Sequence, residues 1–153
     1  MDVHPSRRLS PHFTVAELTV SAMAARRGLK NVPGPAELDQ LAVTARRMEE
    51  VRKLLGDRPI TVLSGFRSRA VNRAVGGAPN SAHMSGHAVD FICPGYGTPA
   101  QIARLLATHL KNFDQVIDEF DQWVHIGWGP GAREQYLQAR KQAGRTVYAV
   151  VAR

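Results

Sequence analysis

The chain has 153 residues, 44% of them hydrophobic and 22% charged, a balance that suits one soluble globular domain with a single buried core. Its formal net charge of +7 favours polyanions such as nucleic acid, acidic lipid headgroups or the anionic polymers of a bacterial wall, and charge alone does not choose among them. The single cysteine, Cys93, excludes an intramolecular disulfide and any cysteine-rich metal site, and no stretch approaches the roughly 20 apolar residues of a membrane-spanning helix.

The opening Met1–Leu9 lacks the apolar run of a secretory signal, so the expectation is a chain made in the cytoplasm and kept there unless something releases it. Residues 1–12 are the part expected to be free to flex. Thr14 and Glu17 form a capping box, with Phe13 and Leu18 as its hydrophobic staple, and predict a helix start. Gly28 to Pro35, with Asn31, Pro33, Gly34 and Pro35, is a linker. From Ala36 the apolar positions Leu38, Leu41, Ala45, Met48, Val51 and Leu55 recur at helical spacing until Gly56.

Pro59–Ser64 is short and β-branched and reads as a strand, and Ser68–Val75 as a short helix closed by Gly76-Gly77. Ala78–Ser81 is a loop leading to His83. His87–Ile92 reads as a strand with Ala88, Asp90 and Ile92 on one face. Thr98-Pro99 opens a helix that runs to about Leu110. Asp114–Ile126 reads as a hairpin turning near Asp121-Gln122, Gly131–Ala143 as a further helix, and Thr146–Val151 as a last strand. The whole predicts a single α+β domain, 1–153, with a small, largely antiparallel sheet flanked by helices.

The ten residues from Ser81 to Asp90 carry the chemistry. His83 offers an imidazole and Asp90 a carboxylate, with Gly86 permitting a sharp turn between them and Ala88 leaving room on Asp90's face. His125, in Trp123-Val124-His125-Ile126-Gly127, sits on a second strand that can supply a third ligand. Two His and one Asp suit a catalytic zinc, which keeps three protein ligands and leaves a fourth position to water. The plainer alternative is strong at this point: a lone His in a strand is most often a core or surface histidine. Cys93, between Phe91-Ile92 and Pro94, reads as a small buried hydrophobe rather than a nucleophile. The basic residues scatter along apparent helix faces without the aromatic interleaving of single-strand binders, so a basic solvated surface is a better reading than specific nucleic-acid binding.

Ser81-x-His83-x-x-Gly86-x-Ala88-x-Asp90 resembles the signature of the M15 family of zinc D-alanyl-D-alanine peptidases, which includes carboxypeptidases, dipeptidases and phage endolysins that cut the L-Ala-D-Glu bond. The resemblance extends upstream through Ser64-Gly65-Phe66-Arg67-Ser68, Asn72 and Val75-Gly76-Gly77-Ala78, and downstream to Trp123-Val124-His125. Leu9-Ser10-Pro11-His12-Phe13, Glu17-Leu18 and Asn31-Val32-Pro33 resemble the short, phage-associated branch.

The resemblance implies the DD-peptidase and hedgehog-like zinc peptidase fold, one Zn2+ on His83, Asp90 and His125, and peptidoglycan stem peptides as substrate. It makes Arg67 the cation that binds substrate and stabilises the developing oxyanion, a task suited to a guanidinium that stays charged and donates in parallel. Without the resemblance Arg67 would be an ordinary surface arginine. Ser81 becomes a hydrogen-bonding residue on the substrate side of the site, and His4, His12, His87 and His109 match no ligand position.

The general base is where the pattern departs. Many members carry an acid or a His three residues before the last ligand; here that residue is Gln122, which cannot accept a proton from water. Glu119-Phe120 matches the short branch, but six extended residues span about 20 Å, so Glu119 serves only if the chain folds back. A three-residue loop pairs Glu119 with Trp123 and sets it diagonal to His125, whereas a two-residue loop sets Asp118 opposite His125. Glu119 is the favoured base, with Asp121 and Asp118 behind it. The rival reading is a non-catalytic wall-binding or virion module on the same fold. A monomer that reaches the wall after phage-type release, or as a virion component, is the accompanying expectation, with anionic envelope polymers as further partners.

Overall fold

The computed structural model describes residues 2–153. Backbone contacts divide the chain into two compact units: one holds the stretch up to Glu50 with Val62–Val89, the other Val51–Thr61 with Asp90–Arg153.

In the first unit, β1 (Arg8–Ser10) pairs antiparallel with β2 (Phe13–Thr14). Helix α1 (Val15–Leu18) follows, with the Thr14–Glu17 capping box closed in both directions. Phe13 and Leu18, the expected staple, are both buried. Ser21 caps α2 (Ala22–Arg27). Helix α3 (Pro35–Leu54) starts where the linker ends, and the six apolar positions expected to face inward are all buried. The chain leaves that helix through Gly56 at φ 73°. Strand β3 (Thr61–Ser64) begins two residues after Pro59, and Ser68 caps α4 (Arg69–Ala74). A 3-10 turn at Ala82–Ser85 precedes β4 (Ala88–Ile92), the neighbour of β3 in the sheet.

In the second unit α5 (Pro99–His109) opens on a second capping box, Thr98 with Gln101. Beyond β4 the sheet continues in the order β6 (Trp123–Gly127), β5 (Gln115–Glu119), β7 (Gln135–Gln142) and β8 (Arg145–Val150). The β5–β6 and β7–β8 pairs are antiparallel, and β5–β7 is parallel. Helix α5 packs on β5, β6 and β7, burying Ile102, Ala103, Leu106 and Ala107. Val116, Val124, Ile126 and Tyr136 share one sheet face by register and are buried too. This is the α+β arrangement expected.

The helix expected over Gly131–Ala143 is not there; its place is taken by β7. Gln135–Gln142 is rich in good helix formers, and buried Tyr136 and Ala139 lie three apart, which imitates a helical stripe. The segment is instead hydrogen-bonded along both edges, parallel to β5 and antiparallel to β8. The β7–β8 link is the two-residue turn Ala143-Gly144, both at positive φ (50° and 78°), the geometry that two-residue hairpins favour. Long-range pairing outweighed local propensity.

Candidate metal centre and its surroundings

His83 is placed by local chemistry. Ser81 caps the 3-10 turn by accepting the His83 N–H at 3.2 Å, and Gly86, at φ 82°, ends it. The turn is held from below by Thr44, a buried residue of α3 whose hydroxyl donates to the Gly86 carbonyl at 2.6 Å. His83 is 3% exposed, and its Nδ1 lies 2.8 Å from the Gly65 carbonyl. A carbonyl only accepts, so Nδ1 carries a proton there, and Nε2 is the nitrogen that a neutral ring would offer to a metal. Ser81 is thus seen in the role of cap.

Asp90 lies on β4 and His125 on β6, with His125 Nδ1 2.8 Å from Asp90 Oδ1. His83, Asp90 and His125 each offer one ligand atom, and these atoms all lie within 4.8 Å of one another. They are the one such His/Cys/Asp/Glu grouping among the described residues. Ligand atoms of a tetrahedral zinc stand about 3.3 Å apart, so small torsional adjustments suffice. Two imidazoles and one carboxylate, with Nδ1 of His83 already engaged by a carbonyl, fit that ion. His12 pairs with Glu49 at 2.7 Å and His87 Nδ1 with Ser85 at 2.7 Å, so both have partners outside this group.

Arg67 follows β3 in the first unit. Its backbone N–H donates to the His83 carbonyl at 3.1 Å. Its guanidinium donates from Nε to Ser64 Oγ at 3.3 Å and from Nη1 to Asn72 Oδ1 at 3.0 Å. Arg67 also lines a concavity of about 260 Å³ with Ser21, Met23, Leu63, Val71 and Val75.

The hairpin register sets the acids on different faces. Its loop is Phe120–Gln122, three residues, with Phe120 and Asp121 at φ 59° and 54°. Glu119 therefore pairs with Trp123 and Ile117 with His125, which puts Glu119 on His125's face, one diagonal away. Asp118 pairs with Val124 on the opposite face. Its carboxylate is buried, bonded to Arg140 Nη2 at 2.9 Å and to the Asp121 N–H at 2.9 Å. Asp121 and Gln122 are exposed on the loop.

Three neighbours of the site have no role that the sequence alone assigns. Thr44 was legible only as a polar interruption in an apolar helix. Tyr148 on β8 stands in one rung with Ala139, Glu119 and Trp123, so it shares the face of His125. Partial desolvation, followed by the charges of Glu119 and Asp90, pushes its phenol up, although the residue as a whole is exposed. Trp123 packs edge-on against Phe120, and its indole N–H is the one buried side-chain nitrogen or oxygen among the described residues with no hydrogen-bond partner. Behind the site, Asp114 is held below the ordinary carboxylate range by the Arg133 guanidinium, with burial opposing and the charge of His125 assisting.

A three-ligand N/O cluster, set on a small mixed sheet with a carboxylate beside it, defines a class of candidate zinc proteins. The particular family follows from comparison: the family model described as Peptidase M15 matches residues 11–127, and the chain belongs to that family. A zinc D-Ala-D-Ala carboxypeptidase from Streptomyces albus G is 37% identical over 93 residues. The match covers 58% of this chain and only 35% of that protein, so the chain spans about a third of the length of the relative it matches.

Proposed function

We propose that the protein is a zinc metallopeptidase that hydrolyses amide bonds in bacterial peptidoglycan stem peptides, at a D-Ala-D-Ala or an L-Ala-D-Glu linkage. The observation that carries this reading is the convergence of His83, Asp90 and His125 with Glu119 one diagonal from His125 on the same face. The Streptomyces relative, a zinc D-Ala-D-Ala carboxypeptidase, supports the substrate class.

His83 through Nε2, Asp90 through its carboxylate and His125 would hold the ion. Bound zinc supplies a polarised carbonyl and a water whose pKa falls towards about 7. The remaining work falls to this chain's own side chains. Glu119 accepts a proton from the attacking water at its carboxylate and returns it to the leaving amine. Arg67 binds the anionic or developing-oxyanion end of the substrate, where a fixed guanidinium outperforms a flexible ammonium. The chain's net charge of +7 draws it to an anionic envelope.

The test is mass spectrometry of products from defined stem peptides incubated with the zinc-loaded protein, with and without a chelator. Loss of a terminal D-Ala identifies a carboxypeptidase, and scission between L-Ala and D-Glu an endopeptidase. Intact peptides in every zinc-loaded reaction, together with retention of the protein on isolated walls, would overturn the enzymatic reading in favour of a binding module.

A further inference from the structure

We infer that Asn72 and Asn31 are positioning residues that hold Arg67 as a preset anion-binding group, Asn72 through its side chain and Asn31 through the backbone on either side. The inference rests on the proposed role of Arg67 in binding substrate, and it concerns how that arginine is kept in place.

Asn72 lies on α4, is 4% exposed, and is hydrogen-bonded at both ends of its amide. Its Oδ1 accepts from Arg67 Nη1 at 3.0 Å, and its Nδ2 donates to the Ala78 carbonyl at 2.9 Å. The orientation of the amide follows from its partners, because a guanidinium only donates and a carbonyl only accepts. An aspartate would face the Ala78 carbonyl with an acceptor, and a leucine would leave Nη1 without its acceptor. Asparagine is the residue type that meets both demands.

Gly77 belongs to the same arrangement for a steric reason. A Cβ there would fall 2.0 Å from Asn72 Oδ1 and 2.8 Å from Arg67 Nη1, so any side chain displaces the pair. This explains why Asn72 and Gly77 sit together in one stretch of sequence with no ligand atom between them.

Asn31 acts on the main chain. Its Oδ1 accepts the Ser68 N–H at 2.7 Å, and its Nδ2 donates to the Phe66 carbonyl at 2.9 Å and the Thr19 carbonyl at 2.8 Å. The residues before and after Arg67 are therefore held by one amide, much as a neighbouring strand would hold them. Ser68 adds a bond from its hydroxyl to the Lys30 carbonyl at 2.9 Å. Arg67 itself contributes its N–H to the His83 carbonyl. A long side chain with four torsions thus has its root fixed by Asn31 and its head by Asn72 and Ser64, which removes most of the ordering that binding an anion would otherwise require.

The test is a double-mutant cycle with an independent structural readout. Asn72→Ala should lower kcat/KM on a defined stem peptide about 10- to 100-fold, the scale of an ångström-sized misplacement. In an Arg67→Ala background the same substitution should change it less than about threefold. Asn31→Ala and Gly77→Ala, run through the same cycle, should behave alike, with zinc affinity retained throughout. Equal losses in both backgrounds would mean a general structural role and would overturn the inference. NMR of the Arg67 guanidinium in 15N-labelled protein needs no turnover: restricted rotation in the wild type should be lost in Asn72→Ala. An unchanged guanidinium signal in Asn72→Ala overturns the inference; a released one in a protein that cleaves no peptide sustains it while refuting the proposed activity.

Discussion

Replacing Glu119 with Gln removes a proton acceptor while keeping the length and shape of the side chain. The register places Glu119 diagonal to His125, with about 7–8 Å between such neighbours, a gap that a glutamate side chain and one water fill. A positioned base contributes about 100- to 10,000-fold, or about 2.7–5.4 kcal/mol of barrier, and Glu119→Gln should lose that much of kcat. Asp118→Asn is the matched control. Asp118 is 2% exposed on the other face and spends its oxygens on Arg140 and the Asp121 N–H. Weakening that pair should cost about 1–3 kcal/mol. The low end applies, because the Arg140 side chain is 36% exposed and water screens the pair. The melting temperature should then fall about 2–4 °C per kcal/mol while kcat stays within about threefold. Rates are read by mass spectrometry on a defined stem peptide, with zinc content checked, and stability by calorimetry. If Glu119→Gln stays within about tenfold of wild type, or Asp118→Asn abolishes turnover with unchanged melting, the assignment drawn from the hairpin register fails.

Chelation should lower the melting temperature and added zinc restore it, by about 2.7 kcal/mol of linkage at a hundredfold excess over Kd; His125→Ala should erase the zinc response, and a wild type that melts identically with and without zinc would count against the site. Thr44→Val keeps the shape of a fully buried residue but strips the Gly86 carbonyl of its donor, so calorimetry should show a loss of about 1–3 kcal/mol and titration a weaker zinc affinity. Asp114 has its pKa depressed in the fold, so the stability it contributes is complete above the ordinary carboxylate pKa and disappears as pH falls through the lowered value. Arg133→Gln should therefore lower the melting temperature at neutral pH and flatten its decline on the acid side, as read from melts between pH 7 and pH 2.

Much of this molecule was legible in local chemistry. The box Thr14–Glu17 and the pair Thr98-Pro99 mark helix starts, because a capping side chain nearby is all that a free N–H needs. The inward face of α3 follows from a period of 3.6, and three ligand candidates follow from residue type and motif. The hairpin could be narrowed to two loops, each with its own base, because strand alternation makes the outcome depend on a single residue of register.

The tertiary structure decided what depends on partners far away in the chain. It chose the three-residue loop, and with it Glu119 over Asp118 on the face of His125. It turned helix-favouring Gln135–Gln142 into a strand, since two hydrogen-bonded edges outweigh intrinsic propensity. It also gave Asn72, Gly77, Asn31 and Thr44 their meaning. Each acts through a hydrogen bond or a clearance set by a distant or turned-back segment, and spacing along a single chain carries no trace of such an approach. The candidate ligands could be read from the sequence, but the contacts that hold them, and the face on which Glu119 stands, came from packing.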